Sequence, residues 1–186
     1  KMSELHLIRH CSLTLAGLKT GNIFSCDITS PKDLTDVLRE FNMRLKEKGL
    51  RVLPIRCRDG KALIYVFRPS HLERDLFDHR AQKILSSCGY GCIPVSMCIK
   101  HLMRRLNDSD EFPHEIGLFL GYPPEDVDGF MTYGGEGCKC SGHWKVYGDV
   151  DQAQKLFAKY KKCSTVYARH WAMGKSIEKL TVPCFC

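Results

Sequence analysis

Arg51-Val52-Leu53-Pro54-Ile55-Arg56-Cys57-Arg58-Asp59-Gly60-Lys61-Ala62-Leu63-Ile64-Tyr65-Val66-Phe67-Arg68 decides the fold class. Two runs rich in β-branched and aromatic residues, 51–58 and 61–68, flank Asp59-Gly60. An Asp-Gly pair accepts the positive φ angles of a two-residue turn whose twist matches that of paired strands, so the stretch predicts a β-hairpin. Working towards the N-terminus, Ser30 caps and Pro31 opens a helix. Leu34, Leu38, Phe41 and Leu45 give that helix one apolar face, and Gly49 stops it. Residues 23–28 read as a strand and 12–19 as a short helix ended by Gly21-Asn22. Towards the C-terminus, Ser70-His71-Leu72-Glu73 is a capping box for a helix reaching to about Gly89. Pro94 opens another, to about Leu106. The apolar run 115–121 reads as a buried strand, central in the sheet beside 61–68. A short helix over 123–132 and a strand over 144–147 follow. Asp149 with Gln152 caps the next helix, and the last covers 165–173 before Gly174. Hairpin strands together with strands separated by helices predict an α/β or α+β fold, a single-domain mixed sheet containing a β-hairpin and covered by helices. One globular domain is expected over 1–182, with a flexible Cys-x-Cys tail at 183–186.

The bulk numbers fit that expectation. At 186 residues, 44% hydrophobic and 26% charged, the chain is long enough to bury a core without staples. No window approaches the roughly 18 apolar residues of a membrane span, so no membrane role is expected. The start lacks the charged-then-apolar pattern of a secretory signal, Met2 reads as the initiator, and a cytoplasmic location is expected. The net charge of +7 gathers at 44–61 and 155–179, whereas 108–128 is acidic. Without an aromatic-rich recognition motif beside it, that charge does not point to nucleic acid. It leaves a non-catalytic binding module for an acidic partner as one reading.

Eleven cysteines stand out in such a chain. Thiols stay reduced in the cytosol, so this density points to a metal or to chemistry before a disulfide framework. Gly134-Gly135-Glu136-Gly137-Cys138-Lys139-Cys140-Ser141-Gly142-His143-Trp144 is the sharpest stretch. Its glycines free the backbone to wrap a centre, and residues two apart in an extended segment share a face, so Cys138 and Cys140 form half a thiolate site. Cys163, with Cys11 or His143, would complete a zinc or iron–sulfur set. Cys26, Cys57 and Cys98 read as packing residues. Cys88 and Cys92 match no standard ligand spacing.

Cys11 and His114 carry a second reading. Cys11 stands at the head of the 12–19 helix, where the helix dipole would lower a thiol's pKa. His114 leads into the 115–121 run. A cysteine that starts a helix and a histidine that leads a strand outline a cysteine-nucleophile hydrolase or transferase of the papain-like kind, thiolate attacking and imidazole moving the proton. No oxyanion-hole glutamine precedes Cys11, and Asp126 and Asp128 are only candidate orienting acids. There is no Gly-x-Gly-x-x-Gly fingerprint, phosphate loop or His-Glu-x-x-His, which removes ordinary nucleotide enzymes and one zinc-protease class.

Four stretches together carry a family resemblance: residues 10–20 from His10-Cys11-Ser12 to Thr20, 112–123 from Phe112-Pro113-His114 to Pro123, Cys138-Lys139-Cys140 with 144–149, and Tyr160-Lys161-Lys162-Cys163. The chain resembles an uncharacterised, domain-of-unknown-function family of anaerobic Firmicutes over nearly its whole length. Leu13 stands where members of that family usually have proline. The resemblance implies a setting near flavodoxin and iron-uptake genes. It therefore implies redox or metal handling with a small electron-transfer partner such as a flavodoxin. It also singles out Cys11, Cys138, Cys140 and Cys163 as the metal set.

Overall fold

The computed structural model describes residues 2–91, 93–109 and 111–184. Cys92, Phe185 and Cys186, which figured in the thiol readings, lie outside them. The elements in chain order are α1 (Glu4–Leu15), β1 (Gly21–Asp27), α2 (Pro31–Leu45), β2 (Arg51–Arg58), β3 (Lys61–Phe67), α3 (Pro69–Leu76), α4 (His79–Ser87) and α5 (Val95–Asp108). They continue with α6 (Ile116–Phe119), α7 (Pro124–Tyr133), β4 (Cys140–Ser141), β5 (Lys145–Val146), α8 (Val150–Ala172) and α9 (Ile177–Leu180). The fold is α+β. By internal contacts the chain divides into two compact units, 1–70 with 162–186, and 71–161.

The first unit is built on the hairpin. Asp59 and Gly60 take φ of 52° and 72°, and β2 pairs antiparallel with β3 from Arg58↔Lys61 to Arg51↔Phe67. β1 pairs antiparallel with the other edge of β3, giving the order β1-β3-β2. The sheet is thus antiparallel, where the sequence predicted a mixed one, and 115–121 is no part of it. Ala62, Ile64 and Val66 alternate along β3 onto the core, where Leu7, Cys11 and Leu15 of α1 and Leu34, Leu38, Phe41 and Leu45 of α2 meet them. Pro54, which donates no hydrogen bond, sits in edge strand β2 next to an irregularity in its register. Ser30 accepts the Asp33 N–H at 3.1 Å, the cap expected for α2.

Four helical readings differ from expectation; the two helices expected after Asp149 and over 165–173 are one, α8. α1 begins at Glu4, after an extended Ser3, because Leu7, Ile8, Cys11 and Leu15 already form a helical stripe; Gly17 at φ 72° closes it. The predicted helix over 70–89 is two helices, since Asp78 turns aside and accepts the N–H groups of Arg80 and Ala81. The 115–121 run folds as the short α6. A short apolar run buried on all sides has no period that separates strand from helix.

Arg68, the residue after β3, is 1% exposed. Its guanidinium donates to Thr14 O (2.7 Å), Leu15 O (2.8 Å), Val182 O (2.7 Å) and Lys48 O (3.3 Å). It satisfies carbonyls that the end of α1 leaves without intrahelical partners, and ties the C-terminal segment to them. Cys184 lies against this arrangement, its N–H on Lys48 O at 3.3 Å and its sulfur 3.3 Å from Ser70 Oγ.

Candidate functional site

The second unit holds a pocket of about 340 Å³. α6, α7 and the β4–β5 hairpin supply its walls: Ile116, Tyr122, Val127, Phe130 and Trp144, with His114, Ser141 and Lys145 as polar members. Tyr122 stacks on Trp144 at 4.9 Å between ring centres, and Phe157 of α8 meets the indole edge-on at 4.6 Å. His114 meets Phe130 edge-on at 4.9 Å.

A buried carboxylate fixes these walls. Asp126, 3% exposed in the first turn of α7, accepts Trp144 Nε1 on Oδ2 (2.6 Å). Its Oδ1 takes the N–H groups of Tyr147 (2.7 Å) and Gly148 (2.8 Å). One side chain thereby orients the indole and docks the segment after β5 onto α7, with the positive end of α7 favouring its charge. A second buried carboxylate, Glu115 at 1% exposure, stands beside His114 and outside the lining. It accepts the Tyr90 hydroxyl at 3.1 Å and lies 2.6 Å from Arg105 Nε, an ion pair made off the N–H direction. Burial, then the Glu115 charge, raises the Tyr90 phenol, so Tyr90 stays a donor.

The glycines serve this packing. A Cβ on Gly142 would stand 2.3 Å from the Phe157 ring, and one on Gly129 2.4 Å from the Tyr147 ring. Gly135, at φ 99°, lies under the Lys145 stem, and Lys145 Nζ donates to its carbonyl at 3.0 Å. The glycine-rich stretch read as a wrapper for a metal therefore lets aromatic rings and one lysine close over the hairpin.

The four expected thiols take different settings. Cys138 and Cys140 stand half-buried in the second unit; Cys11 and Cys163 belong to the core of the first. Among the described residues no three or more His, Cys, Asp or Glu side chains gather to hold a metal ion. Cys11 does not head a helix. It sits in the third turn of α1, fully buried, and burial pushes its thiol well up, with Lys19 opposing only in part. The helix-start premise of the Cys11–His114 reading therefore fails, because the core stripe of α1 runs through Cys11. His114 is exposed in the second unit, ahead of a helix and not a strand. Cys26 and Cys98 are buried as packing residues, whereas Cys57 is exposed near the hairpin turn. Cys88 is half-buried, with its thiol raised by burial.

Sequence reasoning missed Tyr122, Phe130, Trp144 and Lys145 as one site. It named Asp126 only as a possible partner for His114. The available signal was the crowding of Trp, Lys, Tyr and Gly after the Cys-x-Cys, but no sequence period links it to α6 and α7.

A model of the family described as "Protein of unknown function (DUF3793)" matches residues 7–181. No curated protein and no solved structure matches the chain. Among the described residues no helix is long and apolar enough to cross a membrane.

Proposed function

The chain belongs to this family of proteins of unknown function, and from its own geometry we propose that it is a binding module that holds a small, largely apolar molecule in the pocket of the second unit. The single observation that carries this reading is the pocket itself: about 340 Å³, walled by aromatic and aliphatic side chains and bordered by a few polar ones. Ligand sites have that composition, and this volume lies at the lower end of their range of about 300–1,000 Å³. The rigidity of the wall supports the reading. Trp144 is set by a charged hydrogen bond and by two aromatic neighbours before any ligand arrives, so little ordering opposes binding. The cysteines support less. A closed zinc or cluster site asks for four ligands around one centre, and among the described residues no three or more His, Cys, Asp or Glu side chains gather to hold a metal ion.

The test uses 2-naphthol as a neutral apolar probe and reads the two tryptophan indole N–H signals by NMR, Trp171→Phe identifying that of Trp144. A probe of this size, at roughly 0.3 kcal/mol per heavy atom, binds with a Kd of about 4 mM. The expected result is a saturable shift of the Trp144 signal that Ser141→Phe, which fills the pocket, abolishes. An unmoved Trp144 signal, or the same shift in Ser141→Phe, rejects the reading.

A further inference from the structure

The polar groups on the pocket wall are unevenly matched, and the imbalance has one sign. Asp126 is the sole carboxylate of the lining, and both of its oxygens are already engaged, by three N–H donors. It offers little to a ligand donor or cation. Lys145 is the opposite case: its ammonium carries three N–H donors and meets one acceptor, Gly135 O. Two donors remain, and among the described residues no carboxylate forms an ion pair with it. His114 packs against Phe130 at right angles, with no hydrogen bond to either ring nitrogen among the described residues. An imidazole nitrogen offers an N–H in either neutral tautomer and a positive charge once protonated. Ser141, exposed at the end of β4, adds a hydroxyl. The neighbouring acid Glu125 is drawn towards Arg80 at 3.4 Å. The apolar walls and the surplus of donors ask for one ligand with two halves.

We propose that the pocket takes a small organic acid, an aromatic or compact aliphatic body seated against Trp144, Tyr122 and Phe130, with its carboxylate at Lys145, His114 and Ser141. This rests on the reading of the pocket as a binding site and adds the chemical class of its occupant. An amine of the same shape would bring a second cation beside Lys145, where three of the four lone pairs of Asp126 are already taken. A neutral analogue fills the walls and leaves the donors on water.

The charge series 2-naphthoate, 2-naphthol and 2-(aminomethyl)naphthalene, followed at the Trp144 indole N–H, separates the two claims. The naphthoate is expected to bind about tenfold more tightly than the naphthol, and the amine more weakly than either, the gap narrowing as potassium chloride is raised. Lys145→Met keeps the apolar stem over Gly135 and removes the charge; it is expected to bring the naphthoate-to-naphthol affinity ratio down towards one. Equal affinity for naphthoate and naphthol, tighter binding of the amine, or a ratio unchanged in Lys145→Met overturns the acid specificity while the pocket stands. Failure of all three probes to move the Trp144 signal overturns both.

Discussion

At the scale of single residues, Asp126 organises the site through the number and direction of its lone pairs. One oxygen takes two backbone N–H groups and the other takes the indole, so a carboxamide is a poor substitute. In Asp126→Asn the amide oxygen can serve the backbone pair, but the NH₂ then faces the Trp144 N–H, donor against donor. We expect a loss of about 1–3 kcal/mol in urea unfolding, together with a displaced Trp144 indole signal. Retention of wild-type stability would show that the carboxylate is not needed there. Gly142 and Gly129 belong to the same scale: each marks where a ring lies on backbone, and only a missing Cβ permits that approach.

At the scale of elements, α1, α2 and α9 of the first unit share one arginine. Arg44 reaches Glu4 of α1, Glu40 one turn back on α2, and Glu178 of α9. The Arg44 hydrogen bond, set against a smaller effect of burial, holds the Glu178 carboxyl down at about 2 against an ordinary 4.5. A carboxyl depressed in the folded state stabilises that state above its unfolded pKa, and the contribution disappears as pH falls from about 4.5 through about 2. Thermal midpoints measured from pH 6 to pH 2 are therefore expected to fall more steeply in wild type than in Arg44→Met. Parallel slopes in the two proteins would mean that the contact contributes nothing to folding. As a partly exposed cluster it is also screened by salt, so the difference shrinks at high ionic strength.

At the scale of the whole molecule, the buried charges segregate by unit. The charged side chains buried in the first are the cations Lys19 and Arg68, and those buried in the second are Glu115 and Asp126. Burial pulls the Lys19 ammonium down to about 8, partly offset by Cys11. Arg68 is held by backbone carbonyls instead, which suits a guanidinium whose five donors point in fixed directions. The thiols sort by burial across the molecule, which makes native alkylation a test of the placement. With iodoacetamide followed by peptide mass spectrometry, Cys57 is expected to react first, Cys138 and Cys140 later, and Cys11, Cys26 and Cys98 last. Reaction of Cys11 ahead of Cys57 would contradict its burial and return it to consideration as a nucleophile.

The sequence by itself determined the hairpin, the capped α2, α5 and α7, and hence a chain of the α/β or α+β kind, because those signals are local. Asp59-Gly60 accepts positive φ, Ser30 and Pro31 form a helix start, and apolar spacing repeats within one element. It also marked the crowded 134–144 segment as unusual. Only the tertiary structure decided that the 115–121 run holds a short helix and no strand, and that the sheet is wholly antiparallel, since a short buried run has no period of its own. The same holds for the site. Cys11 looked reactive from its place beside a supposed helix start, yet α1 turns it into the core. Asp126 and Trp144 lie eighteen residues apart in sequence, and Lys145, His114 and Phe130 come from separate elements. Their meeting depends on packing between α6, α7 and the hairpin, an interaction that leaves no periodic trace in the chain.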